Sequence, residues 1–344
     1  MDKSKVYIRV DSNPVISGGH VMRCLAIAET LSEVGRKVCF LVADDNPISV
    51  LEERGFSYIN LHSNWQNLMT DFEQVKSIVS KEEYPFLIID TYKVTKEYVD
   101  SLKPYCRIAY LGSKQEFLGK LDLLINYSTD IDYAFYNNSY TKKTRLLLGP
   151  SYAPLRKEFQ SIIPVYRDEI GHILITTGNT DRNHIVSSLI AELLPEIDGT
   201  TVKLDVVIGR MFDYKDELHK CYDSDARVEL HENVESMSFL MKECDLAITA
   251  NGTTVYELSA AGLPTISFAM VEEQVKSAEA LSELGVIDYC GRSYCMPDEC
   301  ISVIVKKVRY YMGNHDELRK LAMKAHELID GNGCSRIVAV LSEV

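Results

Sequence analysis

The sequence predicts an α/β protein made of two Rossmann-like, doubly wound domains. Three observations lead there. Short apolar, β-rich runs alternate with amphipathic stretches along the whole chain. Gly and Pro bound many of those runs, as expected for strands of parallel sheets joined by helices. The alternation also restarts past the middle of the chain, after a stretch from Arg156 to Arg167 that breaks the rhythm and contains Pro164.

In the first half, the predicted strands are 6–10, 38–43, 58–61, 86–90, 108–111 and 123–126, with helical patterns over 21–34 and 69–80. In the second half they are 172–177, 203–209, 228–231, 246–250 and 265–269. Helical patterns near 182–194, 236–243, 253–261, 273–284 and 298–312 separate these. A further helix is expected over 316–329, stopped by Gly331-Asn332-Gly333, and a last one over 335–341. The boundary belongs near 155–170, which gives domains 1–160 and 161–344, with the terminal helix a candidate to pack back on the first domain.

Composition narrows the function classes. Apolar residues are 46% and charged residues 25%, the balance of a globular protein. No run approaches the ~18 apolar residues of a membrane span, and the charged start, Met1 to Lys5, does not read as a signal peptide. A cytoplasmic location is the default expectation. A net charge of −13 without a basic cluster argues against nucleic acid as a partner. The nine Cys include no C-x-x-C pair, and Cys290, Cys295 and Cys300 match no zinc spacing, so free thiols are expected. Oligomeric state is left open, with a monomer favoured.

Two stretches carry candidate chemistry. The first predicted strand ends at Asp11, and after a loop Gly18-Gly19-His20-Val21-Met22-Arg23-Cys24 opens a helix. Ligands of open α/β sheets bind at the carboxyl ends of strands. Glycines admit close backbone approach, and a helix start presents free N–H groups and partial positive charge. That positive end disfavours an imidazolium, so His20 is expected to be able to accept a proton. A plain loop with a solvated His is the alternative. Arg23, one turn on, would hold an anion, pair with Asp11 or make an ordinary surface ion pair. The dinucleotide fingerprint G-x-G-x-x-G is absent.

The second stretch is Asn251-Gly252-Thr253-Thr254-Val255-Tyr256-Glu257, again strand, small-residue turn and helix. Thr253 and Thr254 can offer hydroxyl and N–H groups to a phosphate, and Glu257 can accept from both ribose hydroxyls. Thr254 followed by Glu257 is equally a capping box. A similar turn, Thr176-Thr177-Gly178-Asn179-Thr180-Asp181, either lies under a diphosphate or is a helix cap by Thr180 or Asp181. Gln274, after another strand, either reaches a sugar hydroxyl or sits at a solvated helix start.

With these residues in view, the chain resembles the PseG-type UDP-sugar hydrolases of the pseudaminic acid pathway and the related spore-coat polysaccharide proteins. Both sit in the GT-B superfamily beside the MurG-type N-acetylglucosaminyltransferases. The resemblance runs through Arg9-Val10-Asp11, Gly19-His20-Val21-Met22-Arg23-Cys24, Asp90-Thr91-Tyr92, Asn126, the segment Leu148 to Arg156, Thr177 to Asp181, Asn251 to Glu257, Gln274 and Asp330-Gly331. It implies a GT-B fold with an interdomain cleft, UDP on the second domain at Gly178, Asn251, Gly252, Thr253, Thr254 and Glu257, and His20 as the base for water attack. Gly18, Gly19, Arg23, Asp11, Tyr92, Asn126 and Gln274 are the expected substrate-side residues. The implied reaction releases UDP and a free acetamido-type deoxy sugar, for nonulosonic acid or surface polysaccharide synthesis. The alternative is a UDP-sugar-dependent transferase. The resemblance implies no metal or organic cofactor. The chain departs from the family pattern at Ser17, at Gly112-Ser113, where an acidic pair is usual, and at Asn179.

Overall fold

The computed structural model describes residues 5–13, 16, 18–181 and 183–343. The loop position Ser17 and most of the Met1–Lys5 start lie outside them. The chain divides into two compact units, Met1–Lys157 with Asn332–Val344, and Glu158–Gly331. Among the described residues, no helix is long and apolar enough to cross a membrane.

The first unit holds a parallel seven-stranded sheet. Its strands are β1 (Val6–Val10), β2 (Val38–Val42), β3 (Ser57–Asn60), β4 (Phe86–Asp90), β5 (Arg107–Leu111), β6 (Leu123–Asn126) and β7 (Arg145–Leu148), in the order β3-β2-β1-β4-β5-β6-β7. β1, β2 and β4 are buried at every position, so they read as continuous apolar runs rather than as alternation. One face packs Val6, Ile8, Phe40 and Ile88 against the helix Gly19–Glu33. The other packs Tyr7, Leu41, Leu87 and Ile89 against Val75, Val79 and Val99.

The second unit repeats the plan with six strands. These are β8 (His172–Thr176), β9 (Lys203–Ile208), β10 (Val228–Glu232), β11 (Leu246–Ala250), β12 (Thr265–Ala269) and β13 (Asp288–Arg292), in the order β10-β9-β8-β11-β12-β13. Every recorded pairing in both sheets is parallel. Each sheet reverses its order once, between β1 and β4 and between β8 and β11. Such reversals leave a crevice beyond the carboxyl ends of the two strands.

Two strands were not foreseen, β7 and β13. Both are edge strands, and β13 reads Asp-Tyr-Cys-Gly-Arg, with little apolar content to signal it. The last helix, Gly333–Glu343, is part of the first unit. Its stripe Cys334, Ile337, Val338 and Leu341 enters the same core as Leu25, Ala28 and Leu31. That burial explains why the second unit stops at Gly331 rather than running on to the end of the chain.

Candidate active site

In the first unit, Val10 pairs with Asp90 across the switch point, so the loops leaving β1 and β4 emerge side by side. The chain after β1 returns as the helix Gly19–Glu33, which carries His20, Arg23 and Cys24 over the end of β4. Asp90, the last residue of β4, is 1% exposed. Its carboxylate faces His20 Nδ1 at 2.5 Å. Arg23 grips both oxygens, with Nε at 2.6 Å from Oδ2 and Nη2 against Oδ1, the bidentate fork typical of a strong charge-assisted pair. Cys24 Sγ donates to Oδ2 at 3.2 Å, and Arg23 Nη1 donates to the Tyr127 hydroxyl at 2.9 Å.

This carboxylate is built to stay ionised. Burial works to raise its pKa, but the charge and hydrogen bonds of Arg23, with the bond from His20, hold it below the ordinary carboxylate value. A neutral His20 ring that donates Nδ1–H to this carboxylate presents its lone pair at Nε2. The ring of Tyr92 meets the His20 ring edge-on, with centroids 5.2 Å apart. His20 itself is 9% exposed, so it is a held ring rather than a solvated first-turn side chain. Gly18 and Gly19 beside it are exposed. A nitrogen base fixed in tautomer and orientation at the mouth of a sheet is an arrangement for moving a proton.

Other sequence expectations need correction. Asp11 does not pair with Arg23. It is 2% exposed, bound by Arg9 Nη1 at 2.6 Å, and it accepts the Ala43 N–H at 2.9 Å. Arg9 in turn reaches Asp71, which also accepts from the Tyr98 hydroxyl. This buried network braces the end of β1 and leaves Asp11 no exposed surface for a substrate. Asn126 is likewise spent internally: its Nδ2 donates to the Tyr136 hydroxyl at 3.1 Å, and its Oδ1 accepts the Ser128 N–H at 3.0 Å. Tyr92 is 52% exposed and available.

In the second unit, two helices start at the switch point, and their ends differ. Ile185–Leu193 follows the turn after β8, and Asp181 caps it, accepting the N–H groups of Ile185 at 3.1 Å and Val186 at 2.9 Å. The Tyr214 hydroxyl also donates to Asp181. That helix start already holds a carboxylate, so the capping alternative applies there and a second anion is disfavoured. Gly178, in the same turn, has φ +81, and the absent side chain of Gly209 lets β9 approach it closely: a Cβ on Gly209 would lie 2.3 Å from the Gly178 carbonyl.

In the helix Thr254–Ala261, after β11, Thr253 in the cap position makes no side-chain cap hydrogen bond. The capping box of Thr254 and Glu257 is not what ends it, because the helix begins at Thr254 with Thr253 in the cap position. The Val255 and Tyr256 N–H groups turn back onto the Gly252 and Thr253 carbonyls at 3.2 and 3.1 Å, which leaves those of Thr253 and Thr254 for an outside partner. Gly252 and Thr253 are exposed, and a Cβ on Gly252 would meet nothing within 4 Å. Asn251 is buried and ties this turn to the next, its Nδ2 donating to the Gln274 carbonyl at 3.3 Å. Gln274 Oε1 accepts the Met270 N–H at 2.7 Å, so that oxygen shapes the loop. Glu257 is half-buried on the face three residues along.

Sequence reasoning did not assign roles to Asp90 and Tyr127. The signal for Asp90 was present: an acidic residue closing a fully apolar predicted strand at a sheet's carboxyl edge. Tyr127 gave none.

No family model matches the chain. Its homologues include an uncharacterised protein of Methanocaldococcus jannaschii, 26% identical over 277 residues, a match spanning 76% of this chain and 55% of the relative, so the chain covers about half of that protein. They also include the spore coat polysaccharide biosynthesis protein SpsG of Bacillus subtilis, 23% identical with 95% of this chain and 94% of the relative covered. A third is the UDP-2,4-diacetamido-2,4,6-trideoxy-beta-L-altropyranose hydrolase of Campylobacter jejuni, 22% identical, covering 82% of this chain and 97% of the relative. Among solved structures, MurG of Acinetobacter baumannii superposes with a TM-score of 0.67 at 14% identity, over 99% of this chain and 100% of that one. The fold is GT-B.

Proposed function

We propose that the chain is a UDP-sugar hydrolase, releasing UDP and a free acetamido-type deoxy sugar for nonulosonic acid or surface polysaccharide synthesis. The observation that carries this reading is the imidazole of His20 fixed by the buried Asp90 at a sheet switch point. The name of the hydrolase relative supports the substrate class, and that of SpsG the polysaccharide setting.

In this mechanism the second unit holds the nucleotide, its diphosphate on the uncapped start of the helix Thr254–Ala261 and its ribose on Glu257. The first unit supplies the base. His20 Nε2 takes a proton from water as the water oxygen bonds to the anomeric carbon. The bond from that carbon to the diphosphate oxygen breaks, and UDP leaves with the electron pair. Backbone N–H groups at the helix start stabilise the charge on the leaving group, and Asp90 stabilises the imidazolium that forms. The fold shared with MurG supports a second reading, in which a sugar or lipid-linked hydroxyl replaces water and the same base serves.

One incubation separates the readings. Purified protein is mixed with a panel of UDP-amino sugars and no acceptor, and UDP and free sugar are followed. Stoichiometric release of both supports hydrolysis. Turnover that appears only with an added acceptor supports transfer. Tight UDP binding with no turnover under either condition sinks both.

Two substitutions test the nucleotide half. Gly252→Ala adds a methyl group that faces open space at an ordinary φ, so stability stays within about 0.5 kcal/mol. UDP affinity is nevertheless expected to fall, because the methyl occupies the space a phosphate needs against the backbone. Calorimetry showing unchanged affinity would move the diphosphate elsewhere. Glu257→Ala is expected to weaken UDP binding by about 1–3 kcal/mol through loss of a charged acceptor. 2′,3′-Dideoxy-UDP checks the assignment, since its affinity should be insensitive to that change.

A further inference from the structure

We propose a divalent transition-metal site on the second unit, formed by Asp205, Glu229 and His231 and distinct from the residues assigned to UDP. Among the described residues, one carboxylate oxygen from each acid and one imidazole nitrogen lie within 4.8 Å of one another. The sheet makes this grouping. Glu229 stands directly beside Asp205 in the β9–β10 register, and His231 is two residues further along β10. Leu204, Val206 and Ile208 fill the core with the helix Ile185–Leu193, so alternation turns Asp205 to the opposite face, and Glu229 and His231 with it.

The three donors differ in freedom, as ligands of a built site do. Asp205 is 4% exposed and held in place. His231 Nε2 lies 2.9 Å from its Oδ1. His172 Nδ1, from β8, lies 2.7 Å from its Oδ2. Thus one oxygen of Asp205 is held by the His172 imidazole while the other faces His231. A carboxylate ligand backed by a hydrogen bond on its second oxygen is the usual outer layer of a metal site. Glu229 is exposed, so small rotations bring its carboxylate to the ~2.0–2.2 Å of a bond to zinc. Mixed imidazole and carboxylate donors select a borderline ion such as Zn²⁺ over Ca²⁺ or Mg²⁺. The ion would clasp the edge strand β10 to β9, with solvent completing its coordination.

The test uses the full chain, reduced, with ZnCl₂ in calorimetry and CoCl₂ in visible absorption. Expected are one zinc ion per chain and a Tm raised by about 5–10 °C at a hundredfold excess over Kd. Co²⁺ should give d–d bands without the near-ultraviolet charge transfer of a thiolate, which separates this site from the exposed Cys221 and Cys295. Glu229→Gln and His231→Asn should remove the binding. His172→Asn should weaken it by about 10–100-fold, the ordinary cost of losing an outer-layer partner. Because Glu229 is a surface residue, Glu229→Gln tests the site even if a change at His231 harms folding. Absence of stoichiometric binding, binding retained in Glu229→Gln, or a thiolate signature would each overturn the proposal.

Discussion

His20→Ala is expected to fold, to bind UDP like the parent, and to lose about 10²–10⁴-fold in the rate of UDP release. Folding survives because Asp90, the carboxylate His20 touches, keeps both oxygens on Arg23. Nucleotide affinity survives because every group proposed to hold UDP lies in the second unit. Steady-state kinetics with a turned-over UDP-sugar, beside calorimetry with UDP alone, read the two quantities separately. A variant retaining more than a tenth of the parent rate would leave the proton to another group.

Asp90 is the second large effect, and its two obvious substitutions should differ. Asp90→Asn keeps the shape but removes the charge that assigns the proton to Nδ1, so a rate loss of the order of 10²–10⁴ is expected. Asp90→Ala also leaves Arg23, whose side chain is 14% exposed, without its carboxylate. Loss of one partner of a buried pair costs about 3–5 kcal/mol, and denaturant unfolding should show it. The pH dependence gives a further check. The Asp90 pKa is lowered in the folded protein, so its ionisation stabilises the fold fully above the unfolded value of about 4 and is lost as pH falls below it. The stability gap between the parent and Asp90→Asn should therefore be flat from pH 5 to 8 and close in acid. A gap that persisted unchanged at pH 2 would mean the fold does not lower the Asp90 pKa.

The alternation of short apolar runs with helices was legible because most strands in both sheets are buried on both faces, and such strands look alike in any neighbourhood. The missed strand β13 has little apolar content to mark it, and β7 is only four residues long, Arg-Leu-Leu-Leu. His20 stood out as a candidate because a glycine pair precedes it between a strand and a helix, with a plain loop as the alternative. The partners were not legible, since Asp90 meets His20 and Tyr127 meets Arg23 across sequence separations of 70 and 104 residues. Asp11 misled for the opposite reason. An acid at a strand end looks available in sequence, yet the buried Arg9, two residues earlier on the same strand, claims it. Helix caps were the least decidable feature. Thr-Thr-x-x-Glu and Asn-Thr-Asp both fit a cap, and only the backbone tells that Asp181 closes its helix while Thr253 and Thr254 leave theirs open.

The course of the backbone makes the second unit a guest within the first. A Cβ on Gly331 would strike the Phe159 carbonyl, so the guest's two ends lie together. A Cβ on Gly333 would strike the Ala153 carbonyl, so the host's cut ends lie together as well. A host closed by a short linker from Lys157 to Asn332 would keep its seven strands, its closing helix and the whole His20–Asp90–Arg23 cluster. The same joints would accept a foreign half in place of the second unit. With UDP on the second unit as proposed, such exchange is a route by which a lineage could change its activated donor while inheriting the His20–Asp90–Arg23 cluster unaltered.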